Sequence, residues 1–255
     1  MRIVSLLALF TAVALSACGG GGVDINVDSS FPPFTPVRNT DYVAREPISF
    51  NLASAGRTRL VLAGVNGSVV ANGAPAANNV MISGERRVGS ETLADAQAQL
   101  PNLQVEVQEV GNDIVVRTVQ PQNSGGRSYA VDYQISVPAT LALNIAQVNG
   151  RIELSGLSGN VETSLVNGRT EASLRVPAGG VIDLEGESGD IELHLPLGTS
   201  ASLSAEVRIG TILMQDHFLQ DEVRSNTMLQ GTLGAGGASV RLKTTNGSIR
   251  IDGLV

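Results

Sequence analysis

Cysteine is almost missing from this chain. Cys18 is the only one among 255 residues, which excludes an intramolecular disulfide, a CxxC redox pair and a thiolate metal cluster. Tryptophan is absent and aromatic residues make up only 3%, so few rings are available for stacking on sugars. The two histidines, His194 and His217, form no HExxH, His-x-His or Cys/His spacing, and a transition-metal site is not expected. Neither lies beside a GxSxG serine, so no nucleophilic triad is expected. Lys243 is the sole lysine. There is no GxxxxGK[ST] phosphate loop, and "GTLGAGGAS" at 231–239 does not fit GxGxxG. These absences predict a protein that is not an enzyme and holds no cofactor. The enzyme alternative, a β-helical lyase or glycosidase, would need paired carboxylates in a cleft or bases above a groove.

The first residues are a targeting segment rather than part of a fold. Arg2 precedes "IVSLLALFTAVALSA", shorter than the roughly twenty residues a membrane span needs. The run ends in "LSAC" followed by "GGGG". This resembles the lipobox of bacterial lipoproteins, which implies cleavage before Cys18, a signal peptide over 1–17 and lipid on Cys18. Gly19, rather than Asp, resembles the signal for outer-membrane delivery, so the expected location is the envelope, on its periplasmic or surface face. Loss of Arg2 leaves 16 basic residues against 24 acidic ones, a net charge near −8. That balance disfavours nucleic acid, which requires phosphate neutralisation, and leaves the lipid as the membrane attachment. Residues 18–40 are rich in Gly, Pro, Ser and Asp and read as a flexible tether.

From 41 to 255 the chain reads as one all-β domain, most regular over 148–255. Short alternating runs such as "RLVLAGV", "DIVVRTV" and "LALNIAQV" are bounded by Gly, Asn or Pro. One segment, 91–100, has helical spacing, with Leu93, Ala96 and Leu100 on one face and Ser90 placed to cap it.

What the chain has in excess is glycine, 29 residues, and it is placed periodically. Gly-x-aliphatic (or Thr) points fall at Gly150, Gly159, Gly168, Gly180, Gly189, Gly210 and Gly247, with an earlier Asn-Gly at Gly67. Alternate points are 18–21 residues apart, the length of a solenoid coil made of two short strands and two corners. Two and four residues after each of the seven points, twelve of fourteen side chains are apolar and two are Thr; one and three after, nine of fourteen are charged. A period of two held in one phase seven times predicts a β-solenoid with a dry inner face. The glycines are expected to be corners at which the chain reverses with φ > 0, a role suited to Asn-Gly. The long interval between Gly210 and Gly247 predicts an excursion over 213–238, after which the last segment closes the stack as the terminal coil. Stacking would also align Glu153, Glu171 and Glu192, a column able to hold Ca²⁺, unless Arg151 and Arg169 relieve the repulsion.

The pattern "VPATLALNIAQVNGRIELSGLSGNVETSLVNGRTEASL", with "SGDIELHLP" and "GASVRLKTTNGSIRIDG", resembles the bacterial "putative adhesin" domains built from β-strand repeats, over about 45–255. The resemblance implies a solenoid, export and no assigned catalytic residue. It points to an envelope protein that binds a protein or glycan surface ligand; the alternative is a periplasm-facing scaffold or stress-linked partner of envelope proteins.

Overall fold

An alternating strand buries one face only if a neighbour lies across it, and a repeat in register supplies that neighbour at every step. A computed structural model describes residues 41–254, together with a two-residue bridge of Leu15–Ser16 to Asp24–Ile25. The signal peptide, lipidated Cys18 and tether expected over 1–40 otherwise lie outside the described residues. The elements are β1 (Tyr42–Ala53), β2 (Arg59–Ala74), β3 (Asn79–Ser90), α1 (Leu93–Gln99), β4 (Gln104–Val110), β5 (Asp113–Val119), β6 (Ser128–Pro138), β7 (Ala142–Leu157), β8 (Val161–Leu174) and β9 (Val181–Pro196). They continue with β10 (Ala201–Ile209), β11 (Ile212–Met214), β12 (Leu219–Arg224), β13 (Met228–Leu233), β14 (Ser239–Asn246) and β15 (Ile249–Leu254). No helix among the described residues is long and apolar enough to cross a membrane.

The architecture is β-solenoid-like. β2, β7, β8 and β9 are long strands, stacked in parallel and in register. Each bends near its middle, so its two halves form two walls around a shared core. In one wall Val69, Ile152, Thr170, Ile191, Ile249 and Ile212 occupy successive register positions. All are buried except Ile212, which lies on the outermost coil. In the other wall Leu60, Leu143, Val161, Ile182, Val240 and Leu203 form a buried column. Each aliphatic side chain so buried contributes about 1.5–3 kcal/mol, which a single coil in solution could not realise.

The two ends depart from the repeat. At the N-terminal end, β5 pairs the first half of β2 and β6 the second half. An antiparallel run, β6–β3–β1, then extends the sheet. Here the thin aliphatic core gives way to Tyr129 and Tyr133, both buried. The Tyr133 hydroxyl meets Thr118 Oγ1 at 2.7 Å, and burial pushes its pKa up to about 12. The helix forms as expected, but its cap is Thr92, whose side chain accepts from the Asp95 amide. Ser90 instead donates to the Asp95 carboxylate.

At the other end the structure corrects the expected order. The final segment is not the terminal coil. β14 and β15 insert between β9 and the coil formed by β10 and β11. The 213–238 excursion is the means: after β11 the chain makes the antiparallel pair β12–β13, which joins the free edge of β10. It then returns into the gap. The pattern could not distinguish these orders, because an inward-facing aliphatic residue fits beside any coil of the same phase.

Candidate functional site

Gly67, Gly150, Gly168, Gly189, Gly247 and Gly210 form one continuous column down the bend, all with φ between 119° and 150°. A Cβ on Gly168 would lie 1.7 Å from the Gly150 main-chain oxygen, and one on Gly189 1.5 Å from that of Gly168. The column therefore requires glycine twice over, by backbone angle and by close approach of the next coil. The chain does not reverse here as a hairpin would; the strand runs on, bent, and the inward face passes from Leu143 and Ile145 to Ile152 and Leu154. Gly159 and Gly180 are not part of this column. They lie in the loops between coils, without positive φ, and Gly179 takes the left-handed position with φ 68°. Gly159 is held by space, since a Cβ would meet the Thr140 oxygen at 2.5 Å. Beside the column runs an asparagine ladder: Asn149 donates to Asn66 at 2.8 Å and Asn167 to Asn149 at 2.9 Å. The Asn-Gly pairs thus serve stacking, not turning.

The outward wall carries the expected acidic column. Glu153, Glu171 and Glu192 are register partners. Arg151 bridges the first two at 2.8 and 2.6 Å, and Arg169 lies 4.0 Å from Glu192 and 3.6 Å from Asp190. Guanidinium groups therefore occupy the positions between carboxylates. On the other wall Arg241 does the same for Asp183, at 2.5 Å, and Glu185, at 2.8 Å.

One cluster went unseen in the sequence. Insertion of β15 beside β9 sets His194 opposite Asp252 and Glu192 opposite Arg250. His194 Nε2 lies 3.4 Å from Glu192 and its Nδ1 4.0 Å from Asp252. One potential ligand atom from each of Glu192, His194 and Asp252 lies within 4.8 Å of the other two. Asp252 is only 9% exposed; Arg250 Nε donates to its Oδ2 at 2.6 Å, while its Oδ1 is buried with no hydrogen-bond partner among the described residues. His217, carried by the excursion, has Nε2 3.3 Å from the Asp252 main-chain oxygen. Residues 58 apart in sequence meet here through strand insertion, which no spacing rule anticipates.

The last coil and the excursion also present apolar side chains to solvent, Ile209, Leu213, Phe218 and Val223, with Phe218 83% exposed, and Leu197 is exposed in the turn after β9. Two open grooves accompany the walls. One, of about 550 Å³, is lined by Glu46, Ile48, Phe50, Arg86 and Val105; Arg86 and Glu46 pair within it at 2.8 Å. The other, of about 340 Å³, lies between β10, β13 and β14.

Among solved structures, the fold is similar to that of a "putative cell adhesion protein" from Clostridium sporogenes, at TM-score 0.53 and 12% identity, over 83% of this chain and all of that one. A "putative adhesin" from Bacteroides fragilis aligns over 82% of this chain and 97% of its own, at 9% identity and TM-score 0.25. A "putative lipid binding protein" from Parabacteroides distasonis does so over 83% and 97%, at 9% and 0.26. No curated protein matches the chain. Residues 90–252, well over half of the chain, match the family described as Toastrack DUF4097, to which this protein belongs.

Proposed function

We propose that the protein is a lipid-anchored envelope protein whose solenoid is a non-catalytic binding scaffold of the adhesin kind. Anchoring rests on the "LSAC" lipobox and would leave the domain on the tether of 18–40, at the outer membrane. The observation that carries the binding role is the run of exposed apolar side chains on the last coil and excursion, with Phe218 at its most exposed point. Exposed large apolar side chains mark contact sites when they gather in a patch, and Phe218, at 83%, is the most exposed large apolar side chain among the described residues. The partner would be a protein or glycan surface, and nucleic acid is disfavoured by the acidic charge.

The test uses whole cells. A strain carrying the Phe218→Ser, Ile209→Ser double variant should attach to a protein- or glycan-coated surface less than one carrying the wild type, and a Cys18→Ala strain should release the protein from the membrane fraction. Attachment that survives deletion of the gene overturns the adhesive reading. Protease applied to intact cells separates the two faces of the membrane: complete protection of the domain excludes direct adhesion and leaves a periplasm-facing scaffold.

A further inference from the structure

The chain has only two histidines, and the fold brings both to Asp252. We propose that Glu192, His194 and Asp252 form a binding site for a divalent first-row transition metal of the zinc class, closed by Arg250 when no metal is bound. The donor set is one imidazole and two carboxylates, which suits zinc better than calcium, since calcium takes oxygen ligands throughout. All three residues project from neighbouring strands held in register, so the strands fix their spacing.

One ligand atom from each residue lies within 4.8 Å of the other two, so side-chain rotation is needed to close the site. Bonds of about 2 Å around a tetrahedral ion place ligand atoms roughly 3.3 Å apart. His194 approaches Glu192 through Nε2, at 3.4 Å, and Asp252 through Nδ1, at 4.0 Å; a metal takes one of these nitrogens, so the ring or a carboxylate must turn for all three to face one ion. A second observation points the same way. Asp252 is buried and Arg250 engages only its Oδ2, leaving Oδ1 without a partner among the described residues. A buried carboxylate oxygen left unpaired is costly, and a metal ion would relieve that cost. Arg250 is the competitor for the same carboxylate. Its side chain is 48% exposed, and its other contact, to Gln215 at 3.4 Å, is weak, so it can swing into solvent as an ion enters. His217 lies against the Asp252 main chain, outside the three-residue cluster. Occupancy would tie β15 to β9, fastening the inserted strand to the coil beneath it.

The experiment is metal titration of the purified full chain after chelation, with Zn²⁺ and, for its visible spectrum, Co²⁺. The wild type should bind one equivalent, gain thermal stability and give a cobalt spectrum of low coordination number. His194→Gln should lose at least about tenfold in affinity. Arg250→Gln should bind more tightly than the wild type, a result that a purely structural ion pair would not give. Asp252→Asn disturbs a buried position, so the exposed Arg250→Gln and the half-buried His194→Gln decide the matter. Equal zinc binding by wild type and His194→Gln, or no binding by either wild type or Arg250→Gln, overturns the site. Calcium binding equal to zinc overturns the assigned metal class.

Discussion

At the scale of single residues the stack is least forgiving where one coil touches the next through bare backbone. Gly168 has φ 141°, and any Cβ there would stand 1.7 Å from the Gly150 oxygen. Gly168→Ala should therefore cost about 3 kcal/mol or more, since neither strand can retreat without breaking the ladder on its far side. Gly111 is the control. It also has positive φ, at 58°, but a Cβ would meet nothing within 4 Å, and Gly111→Asn should change stability by less than about 1 kcal/mol. Urea unfolding of the two variants checks the contrast. An opposite sign is expected at Thr163, which lies in the inner column between Ile145 and Leu184. Its hydroxyl is buried with no partner among the described residues. Thr163→Val keeps the shape and removes the unpaired group, and should raise stability by about 1 kcal/mol in the same measurement.

At the scale of elements, an ion pair clamps the helix to the sheet. Arg127 donates to both oxygens of Asp95, at 2.6 and 2.8 Å. That pair, with the Ser90 hydroxyl, lowers the Asp95 pKa from 3.8 to about 2. Because the folded state favours the ionised form, its contribution is fully present above pH 3.8 and is lost as the pH falls towards 2. Hydrogen exchange in the α1 amides, corrected for intrinsic rates, should lose protection across that interval in the wild type and show no such step in Asp95→Asn. This clamp illustrates what the sequence could and could not disclose. The helix itself was legible from the spacing of Leu93, Ala96 and Leu100, although only Ala96 of that face is buried and Leu93 is 46% exposed; the inner columns were legible from the phase of residues after each glycine, because both are local periodicities. Arg127 lies 32 residues beyond Asp95, and Glu192 is 60 residues from Asp252. Those meetings depend on which strand lies beside which, and strands of equal phase and length leave that choice open. The asparagine ladder was half legible: the Asn-Gly pairs were plain, but their meaning changed from turn to stack once the strands proved parallel and continuous.

At the scale of the whole molecule, the insertion of β14 and β15 changes how the solenoid should come apart. In a simple stack the last coil in sequence is the last in space, and it frays first because it has one neighbour. Here the last two strands are internal: β14 lies between β9 and β10, and β15 between β9 and β11. Ile249 and Ile251 are completely buried, whereas Ile212 and Met214 on the outer coil are not. β12 forms the free edge, with most of its residues exposed. Native-state hydrogen exchange should thus protect the amides of 249–251 more strongly than those of 212–214 and 219–224, although they lie nearest the C-terminus. Removing residues 239–255 should do more than trim an end. It would strip β10 and β11 of their parallel neighbour and expose the inner face of β9, so that circular dichroism should show the loss of both coils in one step. A truncated chain that kept 201–233 folded would mean that β10 can pack directly on β9, and that the inserted strand is an addition to the stack rather than the piece that joins it.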